Sequence, residues 1–371
     1  MNQIRTVLFI QVLNSFVSGV LGVALPLMMK SRNIDVVLIG LVFACMPLIM
    51  QLGRMFFATI SDFWGRKLFF FSNGFLSVVS GLIYYVAQTP LEFSFGKVAE
   101  GTKEGALWAV NRAFLLEKGE HWKVLVYLRT MVYISFAVGS FLAGFLILRL
   151  LFEGTMLLCA LIGILVVLLS WLLVGDQKKP FSARKALLFL DLRKKERVFK
   201  VFLILFLVMG LSLGLIGGFV ITLFLDMNGF SADLIGLIVG VRILFAGLSS
   251  YIFSKAAKIK QLIIMSGMLS SATFFLLGFA SPFLAGALVI FYGVVEGISA
   301  IGQEGILSAI SDKRSYGTDI GLLWMGFHFG ESLSLAFSGF LIAMWGFVAP
   351  FLLMASTYAI FYIPAYFFTT E

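Results

Sequence analysis

The sequence predicts an all-α polytopic membrane protein, with twelve transmembrane helices in two pseudo-symmetric bundles of six. Three observations carry that prediction. Apolar runs long enough to cross about 30 Å of hydrocarbon recur along nearly the whole chain. Of the 371 residues 60% are hydrophobic and only 13% charged, and 41 are Phe. That composition fits neither a soluble globular domain nor a disordered chain. One long polar segment, 175–197, separates the apolar runs into two sets with matching patterns.

The first half, 1–174, holds spans near 5–29, 36–60, 67–88, 91–117, 122–150 and 154–174. The second half, 198–371, holds spans near 198–225, 233–254, 260–280, 281–308, 317–345 and 348–369. The first run follows Met1–Arg5 without a small-residue cleavage site, so it reads as a helix and not as a signal peptide. Cys45 and Cys159 sit inside apolar runs, where thiols fill space.

Charge fixes the orientation. The segment 175–197 carries Lys178, Lys179, Arg184, Lys185, Arg193, Lys194, Lys195 and Arg197. Further basic residues collect in loops on the same side, at 66–67, 118–123, 255–260 and 313–314, whereas the opposite loops hold Lys30, Arg32 and Arg149. The asymmetry predicts a plasma-membrane protein with both termini and the central segment in the cytoplasm. It also absorbs the net charge of +9 without a nucleic-acid partner. Residues 183–192 read either as an amphipathic helix on the anionic inner leaflet or as a solvated tether.

An internal repeat supports the two halves. Leu38-Ile39-Gly40-Leu41 recurs as Leu234-Ile235-Gly236-Leu237, an offset of 196 (236 − 40). Gly101, Glu104, Gly105 and Asn111 recur as Gly293, Glu296, Gly297 and Gln303, an offset of 192 (296 − 104). Gly144-Phe-Leu-Ile recurs as Gly339-Phe-Leu-Ile, an offset of 195 (339 − 144).

The fourth span is the anomaly in this oily chain. At about 100° per residue, Lys97, Glu100, Glu104, Trp108 and Asn111 fall within roughly a quarter of one helix face. Ionisable groups inside a membrane face a water-filled cavity or a paired charge, and they mark pathways and relays. The structural alternative pairs Lys97 and Lys103 with Glu100 and Glu104 at three- and four-residue spacing. Lys103 lies off the stripe and Arg112 near a helix end, where it can snorkel.

The tenth span offers Glu296 and Gln303, the repeat mates of Glu104 and Asn111. Arg242, midway along the eighth, needs a partner from another helix: Glu296, Glu331 or an anionic solute. Trp324, His328 and Glu331 share a face of the eleventh, an arrangement that suits a proton relay or a satisfied core histidine. Gln11, Asn14 and Ser18 share a face of the first and either orient a solute or bond a neighbouring helix.

The loop after the second span reads Ala58-Thr-Ile-Ser-Asp62-Phe-Trp-Gly65-Arg66-Lys67. It resembles the Gly-x-x-x-Asp-Arg-x-Gly-Arg-Arg/Lys signature of the major facilitator superfamily, with Ala58 and Phe63 departing from it. The resemblance implies that Asp62, Gly65, Arg66 and Lys67 form a cytoplasmic clamp that holds the halves together in the outward-facing state. The second-half loop, Ser254 to Lys260, has no acid, so the implied clamp is one-sided. Lys97, Glu100, Gly101 and Gly105 also resemble the Arg-x-x-Gln-Gly-x-x-x-Ala pattern of the family's efflux members, with Lys for Arg and Glu for Gln. The Gly-Pro-rich motif of its antiporters has no Pro here, in Gly139-Ser-Phe-Leu-Ala-Gly144.

These readings together make the chain a secondary transporter of a small polar organic solute, not an enzyme. It is expected to act as a monomer by alternating access, with protons as the coupling ion and no cofactor or metal. Proton-driven efflux is the alternative within the same fold. A membrane-embedded enzyme acting on lipid-linked substrates is the alternative outside it, and it lacks an Asp-rich metal motif or paired His with Glu.

Overall fold

The structure, a computed structural model, describes residues 3–118, 123–173, 195–256, 258–310 and 316–368. The central segment falls largely outside the described residues, and with it the reading of 183–192. The described residues form α1 (Gln3–Ser31), α2 (Val36–Trp64), α3 (Lys67–Val86), α4 (Pro90–Lys118), α5 (Lys123–Trp171) and α6 (Arg197–Gly217). They continue through α7 (Val220–Met227), α8 (Ala232–Ala256), α9 (Ile259–Leu277), α10 (Pro282–Ile310), α11 (Tyr316–Trp345) and α12 (Val348–Phe368).

Local chemistry sets the boundaries. Asp35 caps α2 by accepting from the Val37 N–H at 2.8 Å. Thr89 and Glu92 form a reciprocal box at the start of α4: the Glu92 carboxylate accepts from the Thr89 N–H at 2.9 Å and from the Gln88 N–H at 2.6 Å. Pro90 sits at the first helical position, where its missing N–H costs nothing. The expected seventh span is broken between α6 and α7 at Gly217 and Gly218, a glycine pair that interrupts the hydrogen-bond ladder.

The expected fifth and sixth spans run together as α5, with one non-helical residue, Leu151 (φ 61°, ψ 177°). Its counterpart between α11 and α12 is Gly346 (φ 67°), an offset of 195 (346 − 151). The same bend is thus made twice, once with Gly and once with Leu. That backbone region belongs almost to glycine alone and costs another residue about 1–3 kcal/mol. Leu151 is 68% exposed, so it contributes little burial in return. Leu151→Gly is expected to stabilise the protein by about 1 kcal/mol, read as a rise in thermal unfolding temperature.

Among the described residues, ten helical stretches are long and apolar enough to cross a membrane. One of them, Leu128–Trp171, is 44 residues long and contains the bend. The charged α4 is not in the set.

Within the first half, α1 packs on α5, α2 on α4, and α3 on both α4 and α5. Within the second, α6 packs on α11, α8 on α10, and α9 on both α10 and α12. Between the halves the extensive contacts are α2 on α11 and α5 on α8. Two of the three matched motifs of the sequence lie at such contacts, whereas Gly101, Gly105, Gly293 and Gly297 seat helices within their own halves. A Cβ on Gly40 would stand 2.7 Å from the Leu335 carbonyl oxygen, and one on Gly236 would stand 2.8 Å from that of Ser140. A Cβ on Gly339 would stand 2.5 Å from the Val36 carbonyl oxygen, and one on Gly144 would overlap that of Ala232. Only glycine lets the helix backbones approach so closely.

These contacts gather at one end of the molecule. There a continuous apolar core joins Leu27, Ile39, Phe43 and Ile147 of the first half to Phe219, Leu223, Ile235 and Leu335 of the second. Lys30 and Asp226 form an ion pair across the same end. At the opposite end the first half keeps a separate core of Val7, Ile10, Phe70, Leu107 and Phe114.

Candidate substrate and coupling site

Burying a charge in a low-dielectric interior requires a partner and satisfied hydrogen bonds, and the polar residues of the spans meet that demand in four clusters. In the first, Glu104 accepts from Asn14 Nδ2 (2.9 Å), Ser18 Oγ (2.9 Å) and Trp108 Nε1 (3.1 Å), with Lys103 Nζ 3.5 Å away. Asn14 joins three helices. Its Oδ1 accepts from Lys103 Nζ and from Asn73 Nδ2 of α3, both at 3.2 Å. Asn73 also donates to the Lys103 carbonyl at 3.0 Å.

The second cluster lies toward the Lys30 end of α4. Lys97 Nζ is 2.9 Å from Glu100 Oε2, and the Tyr84 hydroxyl donates to the same oxygen at 2.7 Å. Lys97 also sits 4.3 Å from the centre of the Phe43 ring. Both charged side chains are 4% exposed, so this pair is sealed in protein. Asn111, further along α4, donates to Gln11 Oε1 at 2.7 Å, and Gln11 donates to Ser15 at 3.0 Å. The polar stripe of α4 is therefore engaged by α1 and α3 along its length.

In the second half, Arg242 takes Glu296 as its partner through both carboxylate oxygens, Nε to Oε2 at 3.0 Å and Nη2 to Oε1 at 3.4 Å. Tyr292 lies beside them, its ring 5.8 Å from the guanidinium carbon, and its hydroxyl is 2.7 Å from that of Tyr358. The fourth cluster is on α11: His328 Nδ1 lies 2.7 Å from Glu331 Oε2, and the imidazole stacks on Trp324 at 5.8 Å. Gln303 donates to Ser299 at 3.3 Å.

Glu104 and Glu296 each precede a glycine that seats its helix. A Cβ on Gly105 would stand 2.8 Å from the Met50 carbonyl of α2, and one on Gly297 would overlap Ser249 and the Ala246 carbonyl of α8. Their cations differ in origin. Glu104 meets Lys103, the preceding residue of its own helix, whereas Glu296 meets α8. Glu296 is the more exposed, at 20% of its side chain against 6%.

Around the loop after α2, Gly65 has φ 81°, a conformation that requires glycine, and its N–H donates to the Ser61 carbonyl at 3.1 Å. Arg66 is buried, and Lys67 donates to the Trp171 carbonyl at 2.9 Å. The Asp62 side chain lies outside the described residues. Sequence reasoning did not find Asn73, Tyr84, Tyr292 or Tyr358. A solitary amide in the otherwise apolar and small-residue α3 was the available signal for Asn73. Among the described residues, no group of three or more His, Cys, Asp or Glu side chains gathers to hold a metal.

A family model for the Major Facilitator Superfamily matches residues 7–228, more than half of the chain. The chain belongs to the Major Facilitator Superfamily. It is accordingly a multi-pass membrane protein of a transporter family, not an enzyme. Solved structures of the superfamily share its fold from end to end. The nucleoside transporter NupG superposes with a TM-score of 0.79 at 15% identity, covering 100% of both chains. A point variant of NupG gives 0.83 at 15% identity, over 98% of this chain and 99% of that one. The human organic anion transporter MFSD10 (TETRAN) gives 0.69 at 14% identity over the same shares. A search of curated protein sequences returns no match.

Proposed function

We propose that this superfamily member is a proton-coupled secondary transporter of a small polar organic solute, working by alternating access between two six-helix bundles. The observation that carries the proposal is the pair of acids Glu104 and Glu296, held beside equivalent helix-seating glycines on α4 and α10 and each joined to a buried cation. A carboxylate that exchanges one partner for a proton can change which helices it ties together, and this couples protonation to helix movement.

Twelve crossings are supported by the bend at Leu151, which divides α5 into two arms, and by α4, whose charges are all provided with partners or placed near its end. Repetition of the same helix contacts in both halves supports the bundles 1–174 and 198–371, linked by 175–197. With the basic loops in the cytoplasm of the plasma membrane, the end closed by Lys30 and Asp226 faces outward. The arrangement is then closed to the outside. The solved structures that share the fold include a nucleoside transporter and an organic anion transporter.

In proteoliposomes, an imposed pH gradient is expected to drive solute movement by the wild type and not by Glu104→Gln/Glu296→Gln. Transport that persists unchanged in the double variant would remove the coupling role of both acids.

A further inference from the structure

At the end opposite Lys30 and Asp226, α2, α4 and α5 of the first half carry Arg54, Arg112 and Arg129, which the coupling clusters do not use. Arg129 of α5 donates to Glu304 of α10 at 2.8 Å, with 36% and 43% of the two side chains exposed. Arg112 of α4 lies with its guanidinium carbon 5.4 Å from the Trp108 ring, whose N–H binds Glu104. Arg54 of α2 flanks the same seam, since its backbone nitrogen lies 3.0 Å from where a Cβ of Gly105 would stand. Arg54 is within Coulombic range of Arg112, and Arg112 within range of Arg129 and Glu304. Among the described residues, Glu304 is the acid that meets this group, one carboxylate set against the guanidinium groups of Arg112 and Arg129. Arg112 and Glu304 are also repeat mates, at the same offset of 192 (304 − 112) as Glu104 and Glu296.

Like charges held close together repel one another unless an anion shares them. Guanidinium is suited to that anion. Its planar fork pairs two N–H groups with carboxylate or phosphate oxygens, and it remains charged when partly desolvated. Glu304 reaches the group from the other half, so an anion that displaced it would also break a contact between the halves.

We propose that Arg54, Arg112 and Arg129 form an anion subsite at the inner mouth, occupied by Glu304 when empty, and that the transported solute carries a carboxylate or phosphate group. Passage of that solute rests on the transporter reading above; binding does not. The full-length protein is tested in neutral phosphatidylcholine nanodiscs, with inorganic phosphate and benzoate as probes and chloride as the control at equal ionic strength.

Both probes should raise the thermal unfolding temperature of the wild type where chloride does not. Arg112→Gln should weaken binding about 10-fold, as expected for loss of a charge-assisted hydrogen bond. Glu304→Gln should tighten it about 5-fold by removing the internal competitor. A gain of affinity cannot come from misfolding, so the Glu304 arm stands even if Arg112→Gln folds poorly. The subsite is overturned if chloride matches the probes, if Glu304→Gln shows no gain, or if the response comes only from vesicles containing phosphatidic acid. Anion binding without gradient-driven flux would instead count against the transporter reading alone. Flux of neutral solutes without anion binding would count against the subsite alone.

Discussion

Gly339→Leu is expected to prevent closure of the end that carries Lys30 and Asp226, and to reduce transport by about 100-fold or more. A Cβ at this position would already stand 2.5 Å from the Val36 carbonyl oxygen, and the remaining leucine atoms have no space between α11 and α2. Overpacking commonly costs about 1–3 kcal/mol, and about 2.7 kcal/mol against one state changes its population by about 100-fold. The penalty falls on the joined state and not on either half, because α11 meets α6 closely at Gly326 and Gly330, and α5 meets α1 at Gly139. The variant should therefore remain folded while the ends of α2 and α11 separate. Gly144→Leu, on the equivalent face of α5 against α8, should behave alike. Spin labels across the closed end would read the separation. An unchanged distance in both variants would show that the glycines do not set the closure.

Arg242→Met and Glu296→Leu, made singly, should each destabilise the protein by about 3–5 kcal/mol. Each leaves the other charge buried without its partner. Made together they should recover most of that loss, since well-packed apolar groups replace a buried pair at little cost. The double variant should nevertheless be inactive, because the acid proposed to exchange its partner is gone. Thermal unfolding and flux measured on the four proteins form a double-mutant cycle. Recovery of flux together with stability would make the pair a structural element and no more.

The all-helical, membrane-spanning character of the chain was legible because apolar run length depends on the membrane and not on tertiary detail. The repeat was legible too, and its physical meaning became visible only with the backbones in place. Gly40 and Gly236, and Gly144 and Gly339, are residues at which the backbones of the two halves come into close contact. The bend shared by Leu151 and Gly346 was not legible, since a leucine gives no sign of a positive φ.

The polar site was half legible. Helical spacing marked Lys97, Glu100 and Glu104 and offered Lys97 and Lys103 as their cations, but it could not tell which residues of other helices would join them. That choice depends on how α1 and α3 pack against α4, and it brought in Asn73 and Tyr84. Arg242 and Glu296 were recognised as needing partners and found each other across two helices. The Arg129–Glu304 contact was invisible for the same reason: it spans the two halves.

The central claim is that protonation of Glu104 and Glu296 moves the two ends of the molecule in opposite senses. Its most direct test is a pair of spin-label distances, one between the exposed residues Leu91 and Phe283 at the closed end, the other between Phe56 and Ile252 at the opposite end. Between alkaline and acidic pH, one distance should lengthen while the other shortens, and Glu104→Gln/Glu296→Gln should abolish both changes. Distances that do not respond to pH in the wild type, or that respond equally in the double variant, would contradict the account.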